Sequence, residues 1–275
     1  MDFYATELTW AGKRISADGV KVAPERVAAL NGMPEPKTAD QLMQFVYGAA
    51  WVRGNIPEFA RIAAGCYDTI NAALEGQKRR TKRAASRKKL DELSIWRESG
   101  RESYMAVKKA LEKSVEMAYF DPKLEVCVFA DASDNFWGLI LTQCKSEELQ
   151  KPIREQQHRM LAVASGRFRK AQLRWHILSQ EAYPFGEQLR DYAHLLNAAE
   201  SPAHLFTDHK NLLAVFSDAH RPECCTKSGK SRLTRWAMQL QELRYVIEHV
   251  DGEDNLWADM LSRWGCLHQP KMTKT

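Results

Sequence analysis

The sequence predicts an α/β protein in two parts: a mainly helical region over residues 1–120, followed by an α/β domain over residues 121–265. Apolar residues recur at helical spacing through the first part, as at Leu42 and Phe45. From about residue 121, short runs rich in β-formers appear instead. Helical patterns fall between and after those runs, which is typical of an α/β domain.

The first part opens with strand and turn character over residues 10–24 and then becomes helical. Thr38 followed three residues later by Gln41 predicts a capping box at the start of a helix. A later helix, over roughly residues 101–116, places four apolar side chains on one stripe: Tyr104, Val107, Leu111 and Val115.

The second part shows strand-like runs separated by helical ones, before a tail at residues 266–275. The helical stretch over residues 172–196 contains Pro184, which predicts a kink or an early turn at that point. A cleaner helical pattern covers residues 231–244. The predicted strands cover residues 125–130, 136–143, 204–207 and 244–250.

Composition indicates an intracellular protein. The chain of 275 residues is 44% hydrophobic and 27% charged, and no apolar run is long enough to cross a bilayer. The first residues lack the pattern of a secretory signal. Six cysteines show no CxxC pair and no disulfide-framework spacing, which favours a reducing compartment. The choice between cytoplasm and nucleus stays open.

Positive charge is concentrated in two places, although the net charge is only +5. Residues 78–89 contain eight Lys or Arg in twelve positions. Such density favours a polyanionic partner such as a nucleic acid backbone, but a solvated helix face or a nuclear-import signal is compatible with the same run. The basic side chains of this run are Lys78, Arg79, Arg80, Lys82, Arg83, Arg87, Lys88 and Lys89. A second basic cluster comprises Arg167, Arg169, Lys170 and Arg174.

Four acidic residues occupy unusual settings. Asp131 and Asp208 each end a short apolar strand, whereas Glu181 and Asp259 lie among apolar residues of predicted helices. Any one of them alone is equally compatible with a turn or surface role. Together they suggest a site for hard divalent cations, because Mg²⁺ prefers oxygen ligands. Two such ions, with Mn²⁺ as a possible substitute, can cleave phosphodiesters when about 3.5–4 Å apart.

Several sequence motifs resemble those of a known protein family. FADAS, WGLILTQ, ILSQEAY, LFTDHKNLL and the segment from RLTRWAMQLQ to NLWADMLSRW together resemble the ribonuclease H domain of gypsy-type LTR retrotransposon polyproteins. The resemblance implies a ribonuclease H-like mixed five-stranded sheet flanked by helices. It also implies that the tetrad Asp131, Glu181, Asp208 and Asp259 binds two Mg²⁺ ions and hydrolyses the RNA strand of an RNA–DNA hybrid.

The resemblance extends to two further features. His249 stands ten residues before Asp259, where related nucleases carry a mobile histidine that assists proton transfer or product release; a strand-end histidine bonded to nearby backbone is the alternative. Residues 1–120 are similar to a reverse-transcriptase thumb, which implies backbone contacts to nucleic acid and the rest of a reverse transcriptase as a possible partner. Fingers, palm and a YxDD motif are absent from this sequence, so no polymerase activity is expected from this chain alone.

Two functions remain open from the sequence. One is an active, metal-dependent endonuclease for RNA–DNA hybrids. The other is a catalytically silent nucleic-acid-binding protein, either a retroelement remnant or a domesticated derivative. Pro184 bears on this choice because it follows Glu181 by three residues, and a tilt of the helix at Pro184 would move Glu181 away from the other acids.

Overall fold

The computed structural model describes residues 5–77, 81–133, 135–217 and 227–251. Contacts divide the chain into two compact units. The first comprises Met1–Tyr119 and Ala162–Arg167, and the second comprises Phe120–Leu161 and Phe168–Thr275. Within the described residues no helix is both long enough and apolar enough to pass through a bilayer.

The first unit begins with a small antiparallel sheet of three strands in sequence order. Its strands are β1 (Glu7–Trp10), β2 (Lys13–Ser16) and β3 (Val20–Val22). Ala11 and Gly12 form the turn between β1 and β2 with positive φ angles of 50° and 79°. The prediction of strand and turn character at this end of the chain is therefore confirmed.

Helices make up the rest of the first unit and enclose one apolar core. They are α1 (Pro24–Asn31), α2 (Ala39–Ala50), α3 (Phe59–Ile62), α4 (Ala64–Ala73), α5 (Lys82–Ser86) and α6 (Arg101–Glu112). The stripe predicted for α6 is buried at Tyr104, Val107 and Leu111. Val115 lies beyond the end of that helix, where its backbone N–H donates to the Asn55 carbonyl oxygen at 2.8 Å.

The predicted capping box at α2 is wrong, although Thr38 does occupy the N-cap position. The Thr38 side chain makes no cap hydrogen bond to the helix; its hydroxyl instead donates to Asp40 Oδ1 at 2.6 Å. Gln41 Oε1 accepts from the backbone N–H of Lys37 at 2.8 Å. The Thr38 hydroxyl is therefore oriented toward the acid at the second helical position and does not cap a helix N–H group.

A mixed five-stranded sheet, the predicted architecture, organises the second unit. Its strands are β4 (Glu125–Ala132), β5 (Phe136–Cys144), β6 (Arg159–Arg167), β7 (Ala203–Thr207) and β8 (Tyr245–His249), in the spatial order β6-β5-β4-β7-β8. Of β6, only the residues before Ala162 belong to the second unit. Strand β4 is antiparallel to β5 and parallel to β7, and β7 is parallel to β8. The apolar run from Val126 to Ala130 is buried at the centre of this sheet.

Among the described residues of this unit, four α-helices accompany the sheet: α7 (Ile177–Tyr183), α8 (Ala193–Ala198), α9 (Asn211–Phe216) and α10 (Lys227–Leu240). Helix α7 contacts β4 and α10. After Tyr183 the chain widens into a π-helical segment, Pro184–Gln188, because proline has no N–H to continue the α-helical hydrogen bonds.

Candidate active site

Asp131 lies at the exposed end of the central strand. It is the seventh of the eight residues of β4, and its register partner on β5 is Gly138. Side chains of directly paired residues lie on the same face of an antiparallel sheet. A Cβ atom added at Gly138 would meet no atom within 4 Å, so the space beside Asp131 is open.

The parallel pairing of β4 and β7 brings Asp208 beside Asp131. Phe129 and Phe206 are register partners, and each aspartate follows its phenylalanine by two residues. The two phenylalanine rings stack on one face of the sheet, Asp131 continues that face within β4, and Asp208 directly follows the last residue of β7. A turn fixes the chain after β7, where the His209 N–H donates to Thr207 Oγ1 at 3.1 Å.

Glu181 reaches the same place from helix α7. The N-cap of this helix is His176, whose Nδ1 accepts from the Leu178 N–H at 3.3 Å. Pro184 does not divert Glu181, because the chain continues into the π-helical segment with Pro184 itself at helical angles, φ −59° and ψ −42°. The backbone N–H of Ala132 donates to the Glu181 carboxylate.

Asp131, Glu181 and Asp208 thus form one cluster. One carboxylate oxygen from each lies within 4.8 Å of those of the other two, with Glu181 the most buried and Asp208 the most exposed. Three hard oxygen donors converging on an open edge fit Mg²⁺, which takes one or two carboxylates and leaves positions for water and substrate. Asp259, the fourth predicted acid, lies outside the described residues.

Burial and like charge dominate the electrostatics of Glu181 within the cluster. Burial, followed by repulsion from Asp131 and Asp208, raises the pKa of Glu181 from 4.5 to about 8. The hydrogen bond from Ala132 acts in the opposite direction and is the smallest of these effects. A bound divalent cation reverses this balance, because its charge favours the ionised carboxylate.

His249 lies next to this cluster at the end of β8. It pairs with Thr207 in the sheet, and its ring Nε2 lies 3.2 Å from the backbone oxygen of Asp208. Its Nδ1 lies 3.9 Å from a carboxylate oxygen of Asp251. The contact to Asp208 is the one expected of a strand-end histidine bonded to nearby backbone, and it also keeps the ring beside a cluster residue.

The predicted basic residues occupy different surroundings. Arg167 forms an ion pair with Asp68 within the first unit. Lys170 and Arg174 are exposed, as are the five described basic residues of the 78–89 run: Lys82, Arg83, Arg87, Lys88 and Lys89. The end of that run is tied to the start of α2, where the Ala39 N–H donates to the Lys88 carbonyl oxygen at 3.0 Å. Lys78, Arg79 and Arg80 lie outside the described residues.

Arg169 belongs to a basic-aromatic pocket that sequence reasoning missed. The pocket has a volume of about 480 Å³ and lies between the segment before α7 and helix α10. The Arg232 guanidinium stacks 4.0 Å over the Trp175 ring and 5.8 Å from the Trp236 ring. Arg232 and Arg235 lie one turn apart on α10, and this spacing could have predicted the pocket from the sequence. The sequence prediction for this helix used only its apolar stripe. The residues that define this pocket are Arg169, Trp175, Arg232, Arg235 and Trp236.

Comparison with known proteins places these features in a family context. Residues 121–243 match the family model of the RNase H-like domain found in reverse transcriptase. The chain is 24% identical over 262 residues to the Tf2-3 and Tf2-4 transposon polyproteins of Schizosaccharomyces pombe, covering 95% of this chain. It spans only 17% of the length of those polyproteins.

Two solved structures share the fold. The foamy viral protease-reverse transcriptase in complex with RNA/DNA hybrid matches with a TM-score of 0.62 and 17% identity over 90% of this chain and 29% of the viral one. The complex of that enzyme with double-stranded DNA matches at 0.61 and 16% identity, over 90% of this chain and 45% of the viral one. The predicted resemblance to retrotransposon polyproteins is therefore confirmed.

Proposed function

We propose that this chain is a metal-dependent endonuclease that hydrolyses the RNA strand of RNA–DNA hybrids, because residues 121–243 match the family model of the RNase H-like domain found in reverse transcriptase. The observation that carries the proposal is the convergence of Asp131, Glu181 and Asp208 from two parallel strands and one helix. Asp259 is proposed as the fourth acid of the set. The intact cluster favours this function over a catalytically silent binding protein.

The described acids and His249 have the following roles in the proposed reaction. Two Mg²⁺ ions, when bound, would supply Lewis acidity and lower the pKa of the attacking water. Asp131 near the end of β4 and Asp208 directly after the parallel strand β7 would bind the ions. Glu181 must lose its proton to join them, and the N–H of Ala132 orients its carboxylate. His249, beside Asp208, is proposed to accept or donate a proton at its imidazole during turnover.

The substrate class is proposed from the charged and aromatic side chains of one pocket in the second unit. Two arginines of α10 and the aromatic rings beneath them form the basic-aromatic pocket in the same unit as the acids. Guanidinium groups bind phosphate oxygens with two hydrogen bonds, so this pocket suits a sugar–phosphate backbone. RNA would be distinguished through its 2′-hydroxyl groups rather than its base edges, and cleavage would be largely independent of sequence. The exposed basic residues of the 78–89 run are proposed to bind phosphate groups of a nucleic acid as well.

The test is cleavage of an RNA–DNA hybrid labelled on each strand in turn. Wild-type chain with Mg²⁺ is expected to cut the RNA strand, to leave the DNA strand and a DNA duplex intact, and to stop when the metal is chelated. Asp131→Asn is the matched control, since it preserves side-chain size and removes one proposed metal ligand. We expect its rate to fall by more than about 100-fold, because even residues that only orient metal ligands cost 10–100-fold when changed.

Two results would decide against the enzyme. Wild type that binds the hybrid but cuts no faster than Asp131→Asn would identify a silent binding protein. Cleavage that persists in chelator would contradict the metal-dependent reaction.

Arg235 tests the role proposed for the basic-aromatic pocket. This side chain is exposed, so Arg235→Gln should fold normally while it weakens hybrid binding. If Arg235 contacts one phosphate, the slope of log affinity against log salt should decrease by about one. The control is Arg244→Gln, an exposed arginine directly before β8, at the opposite end of that strand from His249. Equal affinities and slopes for the two variants would exclude Arg235 from the interface.

A further inference from the structure

A second cluster of metal-binding side chains lies in the interior of the RNase H-like domain, independent of the carboxylates. It combines Cys127 of β4, Cys144 of β5 and His158, which directly precedes β6. One ligand atom from each lies within 4.8 Å of the other two. All three residues are buried, with exposed fractions of 0%, 2% and 7%.

The distance between the two sulfurs fits a tetrahedral metal. A zinc ion with Zn–S bonds of about 2.3 Å holds two thiolate sulfurs about 3.8 Å apart. Cys127 Sγ and Cys144 Sγ lie 3.9 Å apart. Both side chains lie on one face of the sheet, because Cys127 pairs with Thr142 and Glu125 pairs with Cys144. A metal could therefore bridge the sulfurs without a change in strand register.

The histidine is oriented as a ligand would be. Its Nε2 lies 2.7 Å from Gln156 Oε1, and since an amide oxygen only accepts, Nε2 carries the proton. Nδ1 then holds a lone pair, which faces the Thr142 hydroxyl at 2.8 Å. Histidines that bind metals donate their other N–H to such an acceptor. The Thr142 hydroxyl has the Cys127 carbonyl oxygen as an alternative partner at 3.5 Å.

The charges around this cluster bear on how a cation would bind there. The hydrogen bond to Cys144 and burial raise the pKa of Cys127, and Glu125 acts in the same direction on both thiols, so the Cys127 thiol keeps its proton until a metal binds. Burial lowers the pKa of His158 to about 4, so the ring is neutral at physiological pH. Two thiolates would balance the charge of a divalent ion, and each thiol would release one proton as its bond to the metal forms.

From this geometry we propose that Cys127, Cys144 and His158 supply three ligands of a tetrahedral site for a thiolate-preferring ion, Zn²⁺, whose fourth position would be taken by a non-protein ligand such as water. The site links the two paired strands β4 and β5 to the start of β6. A metal bound there would fix β4 at Cys127, which is buried and lies four residues before Asp131. Nothing in it depends on whether the carboxylate cluster is active.

The test uses the full chain with Cys224, Cys225 and Cys266 changed to serine, which leaves Cys66, Cys127 and Cys144. The reduced, metal-free protein is titrated with Co²⁺, followed by Zn²⁺. We expect one Co²⁺ per chain with thiolate-to-cobalt charge-transfer absorption, displacement by Zn²⁺ and a higher melting temperature. Oxygen ligands at the carboxylate cluster give no such absorption, and Asp131→Asn should leave it unchanged.

Substitutions at the proposed ligands test whether these side chains bind the metal. Cys144→Ser and His158→Gln should each remove most of the charge-transfer absorption and the thermal shift. Cys66→Ser is the matched control, since Cys66 is equally buried but lies in the first unit. Absence of the absorption in the parent chain, its persistence in Cys144→Ser, or a Cys127–Cys144 disulfide that forms in place of metal binding would each overturn the proposal. The metal content of the parent chain answers the question even if a variant fails to fold.

Discussion

Replacing Glu181 with glutamine is expected to abolish hybrid cleavage and to stabilise the metal-free protein at high pH. Cleavage should fall by more than about 100-fold, because the amide cannot serve as an anionic metal ligand. Stability should rise because the wild-type carboxylate is held in a buried site near two other acids. Glutamine keeps a carbonyl oxygen that can accept from the Ala132 N–H, so the change removes mainly charge.

The pH range of this effect follows from the direction of the pKa shift. The pKa of Glu181 is raised from 4.5 to about 8, so the folded chain binds this proton more tightly than the unfolded chain does. Below about pH 4.5 both states are protonated and the favourable contribution is fully present. Between about 4.5 and 8 the free energy of unfolding falls by up to about 1.4 kcal/mol per pH unit. The total loss is of the order of a few kcal/mol.

Urea unfolding in chelator at pH 4.5 and pH 8.5 measures the effect. Wild type and Glu181→Gln should have similar unfolding free energies at the lower pH, and the variant should be more stable at the higher one. Mg²⁺ should then stabilise wild type more than the variant, because only wild type gains an anionic ligand. Glu200→Gln, at an exposed acid outside the cluster, is the control for the loss of a surface charge. Parallel stability curves for wild type and Glu181→Gln would contradict the predicted electrostatics.

The sequence predicted the fold of the second unit well because its signals are local. Apolar runs such as residues 125–130 gave β4, and the acids that end such runs marked the edge where β4 and β7 finish. Strand β6 was not assigned from the pattern. Its apolar run, residues 160–164, contains two alanines, which are depleted in strands, and only Met160 and Val163 of β6 are buried.

What the sequence could not supply was the partner of each side chain. Arg232 is one more surface-like arginine in the sequence, and only the packing of α10 shows that it stacks on Trp175, which is 57 residues earlier. Arg167 belongs to a basic cluster by sequence, yet its guanidinium is engaged by Asp68. Cys127, Cys144 and His158 gave no spacing signal in the sequence, because strand pairing rather than sequence proximity brings the three together.

Gly186→Ala is expected to destabilise the second unit, although alanine favours helices more than glycine does. A Cβ at Gly186 would lie 2.3 Å from Trp236 Cγ and 2.5 Å from Trp236 Cβ. Carbon atoms pack at about 3.5–4.0 Å, so Trp236 would have to retreat by more than about 1 Å. Its ring is 1% exposed and packs against Tyr183, and its Nε1 donates to Glu187 Oε2 at 2.9 Å.

Gly186→Ala should lower stability because the cost of overpacking exceeds the gain in helix propensity. Alanine gains about 1 kcal/mol of helix propensity over glycine, whereas overpacking a core costs about 1–3 kcal/mol and displacing Trp236 endangers a hydrogen bond worth about 1 kcal/mol. We therefore expect a net loss of about 1–3 kcal/mol in urea unfolding. Hybrid affinity should fall with it, because Trp236 and Trp175 support the Arg232 guanidinium. Gly138→Ala is the matched control: its Cβ meets nothing within 4 Å, and we expect unchanged or slightly higher stability. Equal stability of the two alanine variants would show that Trp236 yields without cost.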